Sequence, residues 1–558
     1  MRALFETISE AADGTFASQR ALTAIKRQVI PGAVFVAVFS LSTFFLGLGT
    51  PALWDRDETT YAIAAREMQT RNDWLMPTIE GRPFLEKPIL MYWLVRASYA
   101  GLGFDEFSSR LPSAVFGFFT CFTIFFMARA LWGGEAAVYA AIVFSTSLLP
   151  AVVFRLLVPD PALTFFTALA FASYLRSTAK AEGDRRFLAL AYASIALGFL
   201  AKGPIALFPA PVFVLHGWLI RRASARYFGR LTLRHAFLIG LAVALAAPWF
   251  AYAFYTHEDT AARFFLHENL QRFASVIEGH RGNAMYYVPV LLMGMFPWPF
   301  FLIASSNNLT KKGTGLSAAD PDILLFVLWI VIPLTALSLS ATKLPHYLLI
   351  VFPGIACLTG KFLSDAASGA RSLQAPLAAT ASFCVLLAAA LVVTHFAAPR
   401  YAPAAVLYPF LLLSLFSFAA TLSAFRRRPR RAIFLMCAGA AVFCVGLFVI
   451  SLPVVESMRV MRPIALAAKR AADRGGVLYR YGVSEPSLVL YSGRILPAVK
   501  KGGLDGVLSR TDPVYIVVSE AKLKRAAPQA PYTIVAEKTG FAENSGPMTL
   551  LLIANRPP

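Results

Sequence analysis

The feature that most constrains this chain is a long succession of apolar runs, each close to the ~20 residues a helix needs to cross a bilayer. They fall at 29–48, 111–131, 135–154, 161–176, 187–201, 203–220, 235–255, 285–305, 322–340, 346–363, 374–397, 404–425 and 431–453. In lipid every backbone polar group must be satisfied within the chain, which a helix does by itself. About thirteen such runs, in 558 residues that are 57% hydrophobic, predict a polytopic α-helical membrane protein. The runs at 161–176, 187–201 and 203–220 are short or closely spaced, so their boundaries are the softest.

The net charge is +21, and its placement matters more than its size. With the N-terminus in the cytoplasm, one set of loops collects Arg176, Lys180, Arg185 and Arg186. The next in that set hold Arg221, Arg222, Arg226, Arg230 and Arg234, then Lys311 and Lys312, then Arg426-Arg427-Arg428-Pro429-Arg430-Arg431. This is the positive-inside pattern. It accounts for the basic balance without a nucleic-acid partner, and leaves the remaining cations for anionic lipid or phosphate. The amphipathic N-terminal region ends at Lys26-Arg27, and the run after it has no clear cleavage site, so it reads as a first span and not a signal peptide. Cys121, Cys357, Cys384, Cys437 and Cys444 all sit in apolar runs with no metal-ligand spacing.

The same alternation places 49–110, 155–160, 256–284 and 341–346 outside. Within 49–110, helical patterns at 58–69 and 88–99 predict helices lying along the membrane surface. Residues 454–558 follow the last run and form an external domain. Short strand patterns begin at Val477, Arg494, Pro513, Tyr532 and Met548, with helical stretches near 463–473 and 485–492. The expected division is a membrane domain over 1–453 and a small α/β domain over 454–558.

The polar residues that could do chemistry concentrate on the external side. In Trp54-Asp55-Arg56-Asp57-Glu58-Thr59-Thr60-Tyr61, Asp55 can cap a helix with Glu58 three residues on, as in a capping box. Asp57, Tyr61, Ala64, Ala65 and Met68 then share one helical face. Asp57 is either a charge in a favourable dipole position or a carboxylate held for chemistry at the bilayer edge. The other pieces are Phe84-Leu85-Glu86-Lys87-Pro88, Asp160-Pro161, Lys202-Gly203-Pro204, the loop Phe264 to Phe273 containing His267 and Arg272, and Lys343-Leu344-Pro345-His346-Tyr347. Each fits simple solvation or snorkelling at a span end. Together, Lys87, Lys202, Arg272, Lys343 and Tyr347 supply cationic and hydroxyl donors on one side, which suits a phosphate at the membrane interface. Glu86 and His267 could share a divalent cation such as zinc, although no i,i+4 His pair or Cys ligand supports it and no cofactor is required.

These motifs resemble the multi-spanning glycosyltransferases that use polyprenyl-phosphate sugars, a group that includes the protein O-mannosyltransferases. Asp57-Glu58-Thr59-x-Tyr61-Ala62-x-Ala64-x-Arg66-Glu67-Met68, Glu86-Lys87-Pro88, His267-Glu268-Asn269 with Arg272-Phe273, and Lys343-x-Pro345-His346-Tyr347 are closest to one branch, the aminoarabinose lipid A transferases. The resemblance is strong over the first ten runs and loose in the C-terminal domain. Glu86 stands where many relatives carry Asp, and Leu349-Ile350 where Leu-Pro is expected. The resemblance implies a C-type glycosyltransferase fold of thirteen spans with a periplasmic C-terminal domain, in the bacterial inner membrane. It implies transfer of 4-amino-4-deoxy-L-arabinose from undecaprenyl phosphate to lipid A phosphate, with resistance to polymyxin and cationic peptides; direct attack by an already anionic acceptor predicts inversion. With the external cluster, these motifs lead to the expectation of catalysis by Asp57 and Asp160, and of substrate binding by Glu58, Tyr61, Lys87, Lys202, Arg272, Lys343, His346 and Tyr347. The alternatives are a sibling using another sugar or a protein acceptor, and a lipid or sugar transporter. Transporters place ionisable residues at mid-membrane on broken helices; here they gather at one face.

Overall fold

The computed structural model describes residues 16–178, 184–220, 225–256, 264, 270–275, 282–306, 320–397, 403–543 and 545–556, with the side chains of 16–28, 225–234 and 272 excepted. The chain forms two compact units, each discontinuous in sequence. One comprises Met1–Leu46, Leu85–Met91 and Leu111–Val449; the other comprises Gly47–Phe84, Tyr92–Arg110 and Ile450–Pro558.

The first unit is helical, and each apolar run of the sequence holds helix. Among the described residues, seven helices are long and apolar enough to cross a membrane: Glu106–Trp132, His235–Thr256, Pro321–Leu339, Pro345–Ala367, Gln374–Ala397, Ala404–Phe425 and Pro429–Ser457. Shorter apolar helices lie at Val29–Phe45, Gly134–Thr146 and Pro204–Ile220. Sequential antiparallel neighbours pack on each other, notably Asp160–Thr178 on Arg185–Lys202 and Ala404–Phe425 on Pro429–Gly446.

Two expected spans are broken. The run 285–305 is two helices, Tyr287–Gly294 and Pro299–Ser306, bent by 111°. Pro297 and Pro299 lie at the bend, and proline has no amide to continue a helix ladder. The run 135–154 is also interrupted, at Ser147, between Gly134–Thr146 and Leu148–Val153. The breaks satisfy each other: Leu148 N donates to Phe296 O at 3.0 Å, and Trp298 Nε1 donates to Thr146 Oγ1 at 2.9 Å. Backbone irregularity inside an apolar unit survives where such partners exist.

The second unit carries a four-stranded sheet in the order Val477–Tyr481, Val514–Ser519, Gly546–Ala554, Thr533–Ala542. The first pair is parallel and the others antiparallel. Val514–Ser519 is buried throughout, as a strand covered on both faces must be. Val517, Leu550 and Leu552 pack against the Met461–Asp473 helix on one face. Ile516, Val518, Leu551 and Ile553 pack with Leu504, Leu508 and Leu523 on the other. The sequence over-read one strand. Residues 494–499 make only an isolated bridge, Arg480 to Ala498, because Gly493 is left-handed at φ +67 and Pro497 lacks a donor. The surface-helix expectation corresponds to Asp57–Thr70 and Leu90–Leu102.

Candidate functional site

In the first unit the candidate site is a cavity of about 330 Å³ lined by residues that include Glu86, Lys87, Lys202, Phe273, Thr342 and Tyr347. Its floor is apolar: Leu163, Ile205, Phe264, Ala336 and Leu337. Lys202 is the last residue of Arg185–Lys202, and the turn after it is made by Gly203 at φ +82, a conformation that favours glycine. That turn sets the ammonium at the helix end, where a cation complements the dipole.

Lys202 Nζ lies 2.5 Å from Asp160 Oδ1 and 4.3 Å from the centre of the Tyr347 ring. Asp160 opens Asp160–Thr178 and is 1% exposed. Its Oδ2 is 3.8 Å from His346 Nε2 and accepts no hydrogen bond among the described residues. Asp160, Lys202, His346 and Tyr347 therefore form one cluster from three separate sequence pieces, with Lys202 and Tyr347 facing the cavity. Lys87 is half-buried and donates to Glu86 O at 3.2 Å.

Lys343 is placed differently from the other cations. Its ammonium donates to Leu337 O at 3.3 Å, to Ser338 O at 2.8 Å and to Ser340 O, carbonyls at the C-terminal end of Pro321–Leu339. Burial pushes its pKa down. Gly282 makes room for it, since a Cβ there would lie 2.7 Å from Lys343 Cδ. Lys343 thus holds the helix end that contributes Leu337 and Ser340 to the cavity. Arg155 secures backbone in a similar way. It is 4% exposed and donates to Thr43 O and Leu46 O at 2.8 and 2.7 Å.

His267 lies outside the described residues, as does the Arg272 side chain; the backbone of Arg272 begins the short Arg272–Ala274 turn. Among the described residues no three His, Cys, Asp or Glu are grouped to hold a metal ion.

The second unit holds the first-loop motif. Asp57 begins Asp57–Thr70; its carboxylate is exposed and makes no hydrogen bond or ion pair among the described residues. Glu58 is turned inward. Its oxygens accept from Arg110 Nε and Nη2 at 2.8 and 2.7 Å and from Trp54 N at 2.9 Å, and the Glu58 and Arg110 side chains are each 1% exposed. Arg110 also donates to the carbonyls of Leu48, Pro51 and Ala52. Tyr61, 7% exposed, packs against Phe84 and Tyr92.

The capping-box expectation fails in detail. The N-cap residue is Arg56, with no side-chain cap. Asp55 instead accepts from Ser487 N at 2.7 Å, from Ser487 Oγ at 2.5 Å and from Thr59 Oγ1 at 3.1 Å. It serves the first turn of another helix, Pro486–Ser492, whose amides lack internal acceptors. Sequence reasoning missed Arg110 and Arg459 altogether. Arg459 donates to Ala52 O and Leu53 O at 2.8 and 2.9 Å. The one available signal was arginine, a residue rarely buried unless paired, beside an otherwise apolar run.

A family model described as dolichyl-phosphate-mannose-protein mannosyltransferase matches residues 86–252, a stretch that contains Glu86, Lys87, Asp160 and Lys202. The undecaprenyl phosphate-alpha-4-amino-4-deoxy-L-arabinose arabinosyl transferase of Pectobacterium carotovorum subsp. carotovorum (strain PC1) is 32% identical over 346 residues, 61% of this chain and 60% of that protein. The Serratia proteamaculans (strain 568) protein of the same name is 30% identical over 344 residues. The match thus spans about three fifths of the length of these curated relatives. The crystal structure of ArnT from Cupriavidus metallidurans bound to undecaprenyl phosphate superposes with a TM-score of 0.73 at 20% identity, covering 94% of this chain and 98% of that one. This chain is a multi-pass membrane protein with the fold of that structure.

Proposed function

We propose that the protein transfers 4-amino-4-deoxy-L-arabinose from undecaprenyl phosphate to a phosphate of lipid A. The observation that carries this reading is the apolar-floored cavity rimmed by Lys87, Lys202 and Tyr347, in a fold matched by a structure bound to undecaprenyl phosphate. A polyprenyl phosphate needs an apolar trough for its chain and fixed cations for its head.

In the proposed step an oxygen of the acceptor phosphate attacks the anomeric carbon. The bond from that carbon to the donor phosphate oxygen breaks, and its electron pair leaves with undecaprenyl phosphate. The new carbon–oxygen bond forms on the opposite face, with inversion and no sugar–enzyme intermediate. The leaving group is already a stable anion, so the requirement is positive charge placed where negative charge develops. Lys87 and Lys202 supply it, Arg272 is assigned with them on its motif, and Tyr347 offers a hydroxyl. Asp160 and His346 orient Lys202, and Lys343 secures the floor. The acceptor phosphate needs little deprotonation, its second pKa being ~6 by analogy with phosphorylated side chains. Asp57, whose side chain is exposed, is assigned to catalysis on its motif.

Two variants test this. Lys87→Ala should weaken binding of undecaprenyl phosphate by an amount on the order of 2–5 kcal/mol. Asp57→Asn should keep donor binding but cut turnover about 100-fold or more. Mass spectrometry of lipid A from cells with and without the protein reads the product; a lipid A carrying a different added mass would overturn the assignment in favour of another sugar, and an unmodified lipid A with a modified protein in favour of a protein acceptor. A lipid modified in this way carries fewer net negative charges, which is the proposed basis of polymyxin and cationic peptide resistance.

The topology proposed with this function has thirteen spans in the bacterial inner membrane, with 49–110 and 454–558 in the periplasm. The five native cysteines are buried and free, so single cysteines at exposed Arg82 and Lys524 can be labelled with an impermeant reagent against a low background. Protection of either in spheroplasts would reject the orientation.

A further inference from the structure

The second unit contains a cavity of its own, about 450 Å³, walled by three helices and the 104–106 turn. Its cations are Arg66, Arg462, Lys469 and Arg494; its acids are Asp105, Glu106 and Asp473. Two of the acids are committed. Asp105 accepts from Ser108 N at 2.6 Å, at the start of Glu106–Trp132, and Glu106 lies 3.1 Å from Arg462 Nη2. Two of the cations lie against aromatic rings. Arg66 lies 4.8 Å over the Phe104 ring and Arg462 lies 5.6 Å over the Tyr491 ring. Stacking of this kind orients a guanidinium while its edge remains a donor. The other two, Lys469 and Arg494, are exposed, and their side chains make no hydrogen bond or ion pair among the described residues. Arg462, Leu466, Lys469 and Asp473 recur at steps of four, three and four, which puts them on one face of Met461–Asp473.

Concave walls bearing a surplus of one sign concentrate the opposite charge. Two unmatched cations beside two oriented guanidinium groups fit an anion with more than one acceptor oxygen, and the volume admits more than a bare anion. The wall offers little apolar surface for a polyprenyl chain, so the cavity suits a headgroup. We propose that it binds a phosphorylated sugar headgroup of the acceptor lipid, through Arg66, Arg462, Lys469 and Arg494. That the headgroup belongs to the acceptor rests on the glycosyl-transfer reading; that it is a phosphorylated sugar rests on the cavity alone.

The test uses the full chain in detergent without any donor. The probes are a diphosphorylated glucosamine disaccharide without acyl chains, its dephosphorylated form, and inorganic phosphate, each titrated calorimetrically. The diphosphorylated disaccharide should bind and the dephosphorylated form should not. Lys469→Gln with Arg494→Gln should weaken that binding about tenfold or more with an unchanged melting temperature, since both side chains are exposed. Asp473→Asn should tighten it, a shift that a merely structural role would not give. In transfer assays the double variant should raise the acceptor KM and leave kcat alone. Equal binding of the dephosphorylated disaccharide, unchanged affinity in the double variant, or inorganic phosphate binding as tightly as the disaccharide would each overturn the proposal. Binding by a protein that transfers no sugar would uphold the cavity and overturn the transfer reading instead.

Discussion

The two cavities manage charge in opposite ways. In the first unit the cations come with partners built in: Lys202 has Asp160, and Lys343 has three carbonyls. In the second, Lys469 and Arg494 stand in solvent, without such partners among the described residues. The difference is one of surroundings. Beside an apolar floor an unpaired ammonium is expensive, so the fold fixes each one in place. In water a bare cation costs little and keeps its freedom to meet a ligand. Breaking the Asp160–Lys202 pair beside the first cavity should therefore damage the protein, and removing Lys469 or Arg494 from the second should damage only binding.

The strongest challenge to that contrast is Asp160→Ala. It leaves Lys202 without its buried counter-charge, and losses of this kind run at about 3–5 kcal/mol. Thermal unfolding in detergent should fall sharply and transfer should vanish. A variant that melts normally and still turns over would end the comparison. Arg110→Lys tests the same rule on a buried pair of the second unit, outside its cavity. Lysine cannot reproduce a bidentate grip on Glu58 together with three carbonyl contacts, and the expected loss is about 1–3 kcal/mol, read by chemical or thermal denaturation. A smaller effect sharpens the contrast. Raising ionic strength should raise the acceptor KM several-fold while donor affinity moves little, because only exposed charges are well screened. Equal sensitivity of both would mean that the donor cations are more open than their partners imply.

The smallest expected effect concerns Asp55. Burial raises its pKa above the usual carboxylate range; the Ser487 hydrogen bonds pull it down, and the charge of Glu485 pushes it up. A raised folded-state pKa stabilises the fold below the unfolded value of about 3.9, and that contribution is lost as pH rises through the raised value. Asp55→Asn should flatten this segment of the stability–pH curve, measured as the unfolding midpoint between pH 4 and pH 7. An unaltered slope would assign the pH response elsewhere, with Glu543, also raised by burial, as the next candidate.

Much of this was legible from the chain alone, for definable reasons. Helices announce themselves through apolar length, but the 111° bend was missed: 285–305 reads as one span although Pro297 and Pro299 lie inside it. Lys87, Lys202 and Tyr347 were legible because each sits in a short polar motif between apolar runs, and all three line one cavity. Glu58 lies about 100° round the helix from Asp57 and faces the interior, and Tyr61, one turn on from Asp57 on its own face, is buried while Asp57 at the helix start is exposed. Pairings across long intervals left no trace. Glu58 finds Arg110 52 residues away and Asp55 finds Ser487 432 residues away, and nothing local marks either pair.

Those intervals also set an order of events. The stretch from Leu48 to Leu53 has its carbonyls held by Arg110 and by Arg459, and Ala52 O receives both. Arg110 leaves the ribosome soon after the stretch it grips. Arg459 follows Leu53 by 406 positions, which at ~5–20 residues per second means a delay on the order of tens of seconds. During that interval nearly all the apolar runs must enter the bilayer while the first loop is held by one arginine of two. A nascent chain halted before Arg459 should expose 48–60 to protease, and release past Ser487 should close it, so that the motif carrying Asp57 is completed only when synthesis is almost over.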